Sequence, residues 1–444
     1  MSSIAVRPSS IRATGAAPGE DAVPDFDRTD FFTDGSVVDD PYPYFEHLRG
    51  RCPVHRESHH GVVAVTGYDE AVRVYRDHET FSSCNSVTGP FPGLPAEPEG
   101  DDIGPLIERV REQLPMSEHM VTMDPPLHTA QRALLARLLT PRRLKENEEF
   151  MWRLADRQID EFADRGRVEL LREYAQPFAL LVIADLLGVP EEFHEPFRVR
   201  LGLQKVGSLV PDEAVSGNAL EFLEEQFGSF VRERRREPRA DVLTALATAT
   251  FPDGSTPDVT DVVRVATFLF AAGQETTARL LSSVMLVLAE RPDLQALLRE
   301  DRSLVPAFVE ETLRMESPVK SDFRLVRRST TLHDVDLPAG TTVMLLNGAV
   351  NRDPAHFEDP DQFRVDRPNA REHLAFGRGV HACPGSPLAR VEARVSVERL
   401  LDRMADIHLD EAEHGPVSDR RLSYEPTYIL RGLTALHLGY TPVG

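Results

Sequence analysis

The sequence predicts a mainly α-helical protein with a minor β-sheet region. Helical spacing of apolar residues dominates from about residue 127 to residue 300, where turn signals such as GVPEE and PDGSTPD interrupt it. Short alternating stretches, GVVAVTG at 61–67 and TTVMLL at 341–346, have the pattern of strands. The chain has 444 residues, of which 41% are hydrophobic, so it can bury a large core.

The chain is expected to form one domain behind a short tail. Its start is rich in Ala, Ser, Pro and Gly and lacks the apolar run of a secretory signal, so we expect residues 1–30 to be disordered. A transit peptide is the weaker alternative, because Arg7 and Arg12 precede the first acid, Glu20. No repeat or low-complexity linker follows, so residues 31–444 are expected to form a single domain with a helical lobe and a small β-rich lobe.

The charge of the chain argues against polyanionic partners. Its 50 basic and 72 acidic side chains give a net charge of −22, which repels nucleic acid and anionic membrane surfaces. The most apolar stretch, VVRVATFLFAAGQETTARLLSSVMLVLAE, is interrupted by Arg264, Glu275 and Arg279, so it is not expected to span a membrane.

Cysteine usage excludes two common kinds of site. Cys52, Cys84 and Cys383 are an odd number, lie far apart and lack C-x-x-C spacing. They therefore suggest neither a disulfide framework nor a structural zinc site. A reducing cytoplasm fits this composition best.

The region before the helices predicts a strand, a helix and a long loop. The strand pattern at 61–67 is followed by YDEAVRVYRD at 68–77, which has helical spacing. Residues 84–120 predict a long irregular loop, and loops of this length in compact domains tend to be functional. The prolines that suggest this loop are Pro90, Pro92, Pro95 and Pro98.

One long helix is predicted from about Pro257 to Glu290, and it contains an irregular centre. At 1.5 Å per residue it would run roughly 50 Å, and its apolar residues lie nearly all round, so it should cross the core. Its middle reads AAGQETTAR, where Gly273 costs about 1 kcal/mol relative to alanine. On this evidence alone, a packing contact at Gly273 and an ion pair between Glu275 and Arg279 are a sufficient explanation.

Four motifs in this order, AGQETT, EETLR, NRDP and FGRGVHACPG, resemble the cytochrome P450 superfamily of haem-thiolate monooxygenases, in particular its soluble bacterial members. The likeness covers about residues 38–440. It implies a triangular helical prism, with haem b between the long central helix and the loop that carries the cysteine ligand. The residues that match the pattern F-G-x-G-x-H-x-C-x-G are Phe376, Gly377, Gly379, His381, Cys383 and Gly385.

The resemblance implies that Cys383 is the axial iron ligand. Glycines let the backbone approach the porphyrin, and nearby amide groups can donate hydrogen bonds to the sulfur. Residue 384 is proline, where commoner relatives have a residue with an N–H group, so we expect one amide hydrogen bond fewer at the sulfur.

On the opposite side of the haem, the resemblance implies an oxygen site. Gly273 would leave room for dioxygen, the Thr276 hydroxyl would hold a water or a reacting oxygen atom, and the Glu275 carboxylate would relay protons from solvent. Because relatives that use hydrogen peroxide directly commonly lack this acid and alcohol pair, its presence favours dioxygen with two electrons.

Two further sets of residues follow from the resemblance. The haem propionates would be held by His128, Arg132, Arg324 and His381. His128 and Arg132 are four residues apart on one helix face, an arrangement that alone would indicate only a solvated face. Glu311 and Arg314, which alone would be a surface ion pair, would instead be buried with Arg367 and lock the coil before the cysteine loop.

The substrate pocket would draw on the 84–120 loop, the central helix from Phe268 to Thr277, and the segment SPVKSDFRLV. These residues are largely apolar and favour a small hydrophobic substrate such as a terpenoid, a steroid or a fatty acid. Lys320 is expected to face solvent, with a contact to a substrate carboxylate as the alternative.

Electrons are expected from a ferredoxin-type protein and its reductase, because 444 residues leave no room for a fused flavin or iron–sulfur module. Arg378, Arg390 and Arg394 would form a basic docking patch for it. A monomer is sufficient for this chemistry.

Other functions remain open at this point. The same haem site could catalyse desaturation or oxidative coupling instead of hydroxylation or epoxidation. From a different class, the protein could be a haem-binding sensor or carrier, although Glu275, Thr276 and the cysteine ligand argue against it. A helical interaction protein without haem is a third hypothesis.

Overall fold

A computed structural model describes residues 25–135, 138–201 and 217–443 and confirms a mainly helical protein with small sheets. The helices are α1 (Ser36–Asp39), α2 (Tyr42–Arg51), α3 (Tyr68–Arg76), α4 (Gly104–Val110), α5 (Leu127–Leu135), α6 (Pro141–Asp160), α7 (Gln176–Leu187), α8 (His194–Leu201), α9 (Gly217–Arg236), α10 (Val242–Ala247), α11 (Val259–Glu290), α12 (Pro292–Glu300), α13 (Val305–Met315), α14 (Asn347–Val350), α15 (Ser386–Arg403) and α16 (Glu411–His414). The strands are β1 (Val54–Arg56), β2 (Val63–Val65), β3 (Phe81–Ser82), β4 (Arg167–Glu169), β5 (Asp322–Val326), β6 (Thr330–Leu332), β7 (Val335–Leu337), β8 (Thr342–Leu345), β9 (Met404–Leu409) and β10 (His437–Pro442).

The largest sheet has the strand order β1-β2-β8-β5-β3. Strands β2 and β8 run parallel, with Val63 opposite Val343, while the other neighbours are antiparallel. Apolar clusters cover the sheet on both faces, because alternate residues of its strands point to opposite sides. Strands β4, β10 and β9 form a second sheet, and β6 pairs with β7.

The long helix α11 runs through the main core, as predicted. It has 32 residues, about 48 Å at 1.5 Å per residue, and packs against α7, α9 and α15. It begins two residues later than expected, because Asp258 is the N-cap and Pro257 precedes it. None of the helices in the described ranges combines the length and apolar composition that crossing a bilayer requires.

The structure covers the end of the expected tail and the whole of the predicted 84–120 loop. Residues 1–24 of the expected tail lie outside the described residues, whereas Phe26–Arg28 form a 3₁₀ turn and Asp27 accepts a hydrogen bond from Arg51 at 2.6 Å. The 84–120 segment is not irregular throughout, and this part of the prediction was wrong. Helix α4 forms after Pro98 and has Pro105 in its first turn, where proline is tolerated, and Ile103, Leu106 and Ile107 pack in one cluster with Leu325 of β5.

Glu311, Arg314 and Arg367 lie together in the interior, as expected. The side chains of Glu311 and Arg314 are fully buried, and the guanidinium donates to both carboxylate oxygens at 2.8 Å. Arg367 reaches the same carboxylate from the coil at 3.0 Å. The two arginines also donate to the carbonyl groups of Asn351 and Pro360 and of Asp359 and Gln362. These bonds fix the coil that leads to the cysteine loop.

Lys320 does not face solvent, so that expectation was wrong. Its side chain is 3% exposed, and its amine lies 5.8 Å from the centre of the Phe31 ring. Its backbone amide donates to the carbonyl of Ile429, which draws the residue in beneath the C-terminal segment. Burial and, to a smaller extent, the nearby cation Arg431 together lower the pKa of Lys320 to about 7.

Replacing Glu311 with glutamine is expected to destabilise the protein strongly. The substitution leaves Arg314 and Arg367 buried without an anionic partner, which costs about 3–5 kcal/mol. Urea unfolding of the purified protein measures this loss. The matched control is Glu358→Gln, because Glu358 is 85% exposed and its pair with Arg364 should contribute less than about 1 kcal/mol. Equal stability of the two variants would contradict the buried cluster.

Replacing Lys320 with methionine is expected to stabilise the protein in a pH-dependent way. The pKa of Lys320 is about 7 in the folded state against 10.5 for an ordinary lysine, so between these values the unfolded chain binds more protons. Burying the cation at or below pH 7 costs on the order of 3–5 kcal/mol, and the cost vanishes as the pH approaches 10.5.

The stability gain in Lys320→Met should therefore be largest near neutral or lower pH and shrink as the pH rises. Urea unfolding at about pH 6 and about pH 9 tests the sign. Lys145→Met, at an exposed position of α6, is the control and should show no such trend. A gain that grows with pH would contradict the burial of a titrating amine.

Candidate active site

The cysteine loop packs tightly against α3. Gly377 and Gly379 have φ values of +62° and +71°, a backbone conformation that favours glycine. A Cβ atom at Gly379 would lie 2.3 Å from the carbonyl oxygen of Tyr75, so a side chain is excluded there. The Cys383 amide donates to the Phe376 carbonyl at 2.8 Å, which closes the loop just before α15 begins.

Cys383 is exposed and does not belong to the packed hydrophobic core. The side chain is accessible, yet burial raises the pKa of its thiol. The amides of Gly385 and Ser386 and the cation Arg132 act in the opposite direction by favouring the thiolate. Pro384 has no N–H group, so the amide donors at the sulfur belong to residues 385 and 386.

Helix α11 is accessible at Phe268 and throughout residues 271–276, while most of the rest of its surface is buried. Phe268, Ala272 and Thr276 are partly or fully accessible at intervals of four residues. Their neighbours Phe270 and Thr277 are buried. Such an accessible stretch on a core helix lines an internal space, and Phe268 also contacts the ring of His119 in the 84–120 segment, at 5.8 Å between ring centres. The two segments expected to form the pocket therefore meet.

The centre of α11 is a continuous helix. The Thr276 hydroxyl donates to the Ala272 carbonyl at 2.9 Å, four residues earlier. A Cβ atom at Gly273 would lie 3.5 Å from Ile183 of α7, which is an ordinary contact. Packing against α7 therefore does not by itself require a glycine.

Glu275 forms the ion pair with Arg279 that its spacing suggested. Arg279 also donates to Glu425 at 2.8 Å, a residue that carried no signal in the sequence. Burial raises the pKa of Glu275, Glu425 raises it further, and Arg279 lowers it.

Four residues expected at the haem propionates are brought to one side of the cysteine loop. The rings of His128 and His381 are 4.0 Å apart between centres, and burial lowers the pKa of His128 to about 4 and that of His381 to about 2. Arg132 donates to the Ala382 carbonyl at 2.6 Å. Arg324 donates to Asp322 at 2.9 Å and lies over the Tyr75 ring.

These donors fit the carboxylates of a haem. Both nitrogens of His128 and Nε2 of His381 are buried without a partner in the described residues, which is costly unless a further group receives their hydrogen bonds. Two neutral imidazoles beside two guanidinium groups suit an anionic group. Asp322, next to Arg324, was missed because a single acid in a strand carries no motif.

The expected docking patch is weaker than its arginine count suggests. Arg390 donates to Glu310 at 2.6 Å, and Arg394 pairs with Glu148. Arg378 donates to the Glu372 carbonyl at 3.0 Å. Two of the three charges are therefore compensated within the protein.

Comparison with known proteins identifies the family of this chain. A family model for cytochrome P450 matches residues 209–421. Cytochrome P450 144 of Mycobacterium tuberculosis is 36% identical over 384 residues, which cover 85% of each chain. The solved structure of Mycobacterium marinum cytochrome P450 CYP150A6, substrate-free, is 62% identical, covers 94% of this chain and 100% of its own, and has a TM-score of 0.90.

More distant structures share the fold. The structure of CYP109E1 from Bacillus megaterium in complex with corticosterone is 27% identical, covers 90% of this chain and 98% of its own, and has a TM-score of 0.75. The chain belongs to the cytochrome P450 family and is a monooxygenase, an oxidoreductase whose cofactor is haem b.

Proposed function

We propose that this enzyme uses dioxygen and two electrons from a ferredoxin-type protein to hydroxylate or epoxidise a small hydrophobic substrate. One oxygen atom enters the substrate, and the other leaves as water after taking up two protons and two electrons. The supporting observation is the accessible stretch of α11, where an apolar wall runs directly into Glu275 and Thr276.

On one side of the haem, residues of this chain would bind the iron, and on the other side they would deliver protons. Haem supplies the oxygen-activating chemistry when bound, and a cysteinate ligand favours cleavage of the O–O bond. Cys383 would provide that ligand, with Phe376, Gly377 and Gly385 shaping its loop. His128, Arg132, Arg324 and His381 would hold the propionates.

On the side of the haem where dioxygen would bind, Thr276 and Glu275 would transfer protons. The Thr276 hydroxyl can turn from the Ala272 carbonyl to donate to a water in the pocket, while Gly273 leaves the adjacent surface without a side chain. Glu275 would protonate that water chain, and burial, which raises its pKa, favours the protonated form that a general acid needs.

The substrate class rests on the pocket wall and on a relative. Phe268, Ala272 and the His119 ring make a largely apolar lining, which favours a terpenoid, a steroid or a fatty acid. CYP109E1 has been crystallised with corticosterone and with testosterone, which supports the steroid alternative.

We also propose a ferredoxin-type electron donor and a cytoplasmic location for the enzyme. A ferredoxin-type protein with its reductase would dock near Arg378, whose side chain has no carboxylate partner among the described residues. We propose a cytoplasmic monomer, since the three cysteines form no disulfide.

Replacing Thr276 with alanine is expected to uncouple turnover. Loss of the hydroxyl should leave reduction of the haem unchanged but divert electrons to hydrogen peroxide, lowering product formed per NADH about 10-fold or more, the scale of a lost proton-transfer group. Turnover with a surrogate ferredoxin system and the tightest-binding compound from a spectral-shift screen measures this ratio. Thr276→Ser should restore it, and coupling as tight as in the wild type would contradict the role of Thr276.

Replacing Pro384 with leucine is expected to raise the ferric/ferrous potential. The new amide can donate a hydrogen bond to the sulfur and reduce its electron donation, and about 1 kcal/mol corresponds to about 40 mV for one electron. Equilibrium redox titration of the substrate-free protein provides the measurement. Pro384→Ala should shift the potential in the same direction, because both variants restore the N–H group. An unchanged or lower potential in both would refute the idea.

A further inference from the structure

Arg279 is held between two carboxylates from distant parts of the chain. Its side chain is 4% exposed. One of its guanidinium nitrogens contacts Glu275, which lies one turn earlier on α11. The same nitrogen donates at 2.8 Å to Glu425, which lies 146 residues after Arg279 in the sequence. The two carboxylates differ in access to water, because the side chain of Glu275 is 27% exposed and that of Glu425 is 17% exposed.

The backbone of the C-terminal segment fixes this arrangement. The Glu425 amide donates to the Gly432 carbonyl at 3.0 Å, so the two residues lie opposite each other, next to the bridge between Tyr424 and Leu433. The stem of Arg279 occupies the space at Gly432, where a Cβ atom would lie 2.5 Å from its Cγ. We call residues 424–433 the C-terminal hairpin. It receives the stem of Arg279 and supplies the second carboxylate.

The charges of this cluster do not cancel. One guanidinium faces two carboxylates, so the cluster carries one negative charge in excess when both acids are ionised. If Glu275 were the sole partner of the buried Arg279, protonating Glu275 would leave an uncompensated buried cation, which is strongly unfavourable. With Glu425 present, Arg279 keeps an anionic partner whether or not Glu275 carries a proton.

We propose that Glu425 is a positioning residue that retains Arg279 on the hairpin and thereby leaves Glu275 able to gain and lose a proton beside Thr276. This inference rests on the proposed function, in which Glu275 delivers protons. In each delivery the O–H bond of the Glu275 carboxylic acid breaks, its proton passes to water at Thr276, and the resulting carboxylate is reprotonated from solvent. No electrons are exchanged in this step.

The charged groups around Glu275 fix the sign of the expected effect. Burial raises its pKa, Arg279 on its own helix lowers it, and Glu425 on the hairpin raises it. Glu425→Gln removes the acid that raises the pKa and leaves Arg279 to Glu275 alone. The pKa of Glu275 should therefore fall, and proton delivery should be lost at lower pH than in the wild type.

Infrared titration of the haem-containing protein tests the proposal without turnover. The carboxylic acid band that is present in the wild type and absent in Glu275→Gln reports protonated Glu275. In Glu425→Gln the midpoint of this band is expected about one pH unit or more lower. Glu425→Ala should shift this midpoint in the same direction, and it replaces the glutamine variant in the experiment if that variant does not fold. Glu425→Asp should remain close to the wild type, and Glu413→Gln, at an exposed position of α16, should not shift it.

An unchanged or higher midpoint in both Glu425 variants would overturn the proposal, as would the absence of a Glu275 band in the wild type at any pH. The pH profile of coupling separates this failure from a failure of the proposed function. If Glu275→Gln keeps wild-type coupling, the acid role of Glu275 is wrong. If that variant uncouples but the Glu425 variants do not move the titration, only the role of Glu425 is wrong.

Discussion

A cysteine proposed as a metal ligand has to be held at one place in the fold while its sulfur remains accessible on one side, and most of the architecture around Cys383 meets this constraint. The loop is pressed against α3 so closely that Gly379 has no room for a Cβ atom. Behind it, Arg314 and Arg367 fix the preceding coil through hydrogen bonds to its carbonyl groups, including 2.7 Å from Arg314 to Pro360, and Glu311 binds both guanidinium groups. Backbone sterics on one side and buried charge on the other therefore leave the sulfur little freedom.

Three buried arginines are paired with carboxylates, whereas the buried Lys320 lies near other cations. Arg314, Arg367 and Arg279 each have a carboxylate partner inside the fold, which offsets the cost of removing them from water. Lys320 is the exception, because burial and the nearby cations Arg431 and Arg279 lower the pKa of its amine. Asp39 acts in the opposite direction, and the Phe31 ring lies 5.8 Å from the amine.

The sequence predicted those parts of the site that depend on local chemistry. The spacing of glycine, histidine and cysteine in the loop and the four-residue spacing of His128 and Arg132 are set within single segments, and the structure has them together. The role of Glu425 could not be predicted, because it depends on the C-terminal hairpin folding back over α11 across 146 residues. The compensation of Arg390 by Glu310 and the burial of Lys320 have the same cause, since both depend on contacts between distant segments. Helix α4 was missed because the prolines before it dominated the local pattern.

A neutral contact joins α15, which follows Cys383, to α11, which carries Glu275 and Thr276. Thr277 of α11 donates to Glu392 of α15 at 3.2 Å, and burial raises the pKa of Glu392 to about 8, so this acid is protonated at neutral pH. A charged link at this point would impose its field on both the thiolate and the oxygen site. A separate cluster of ionised groups lies on the hairpin side, where Arg279 binds Glu275 and Glu425. In the proposed mechanism, the two helices are coupled mechanically through this neutral contact, while the charge that responds to protons stays next to Thr276, where protons would be consumed.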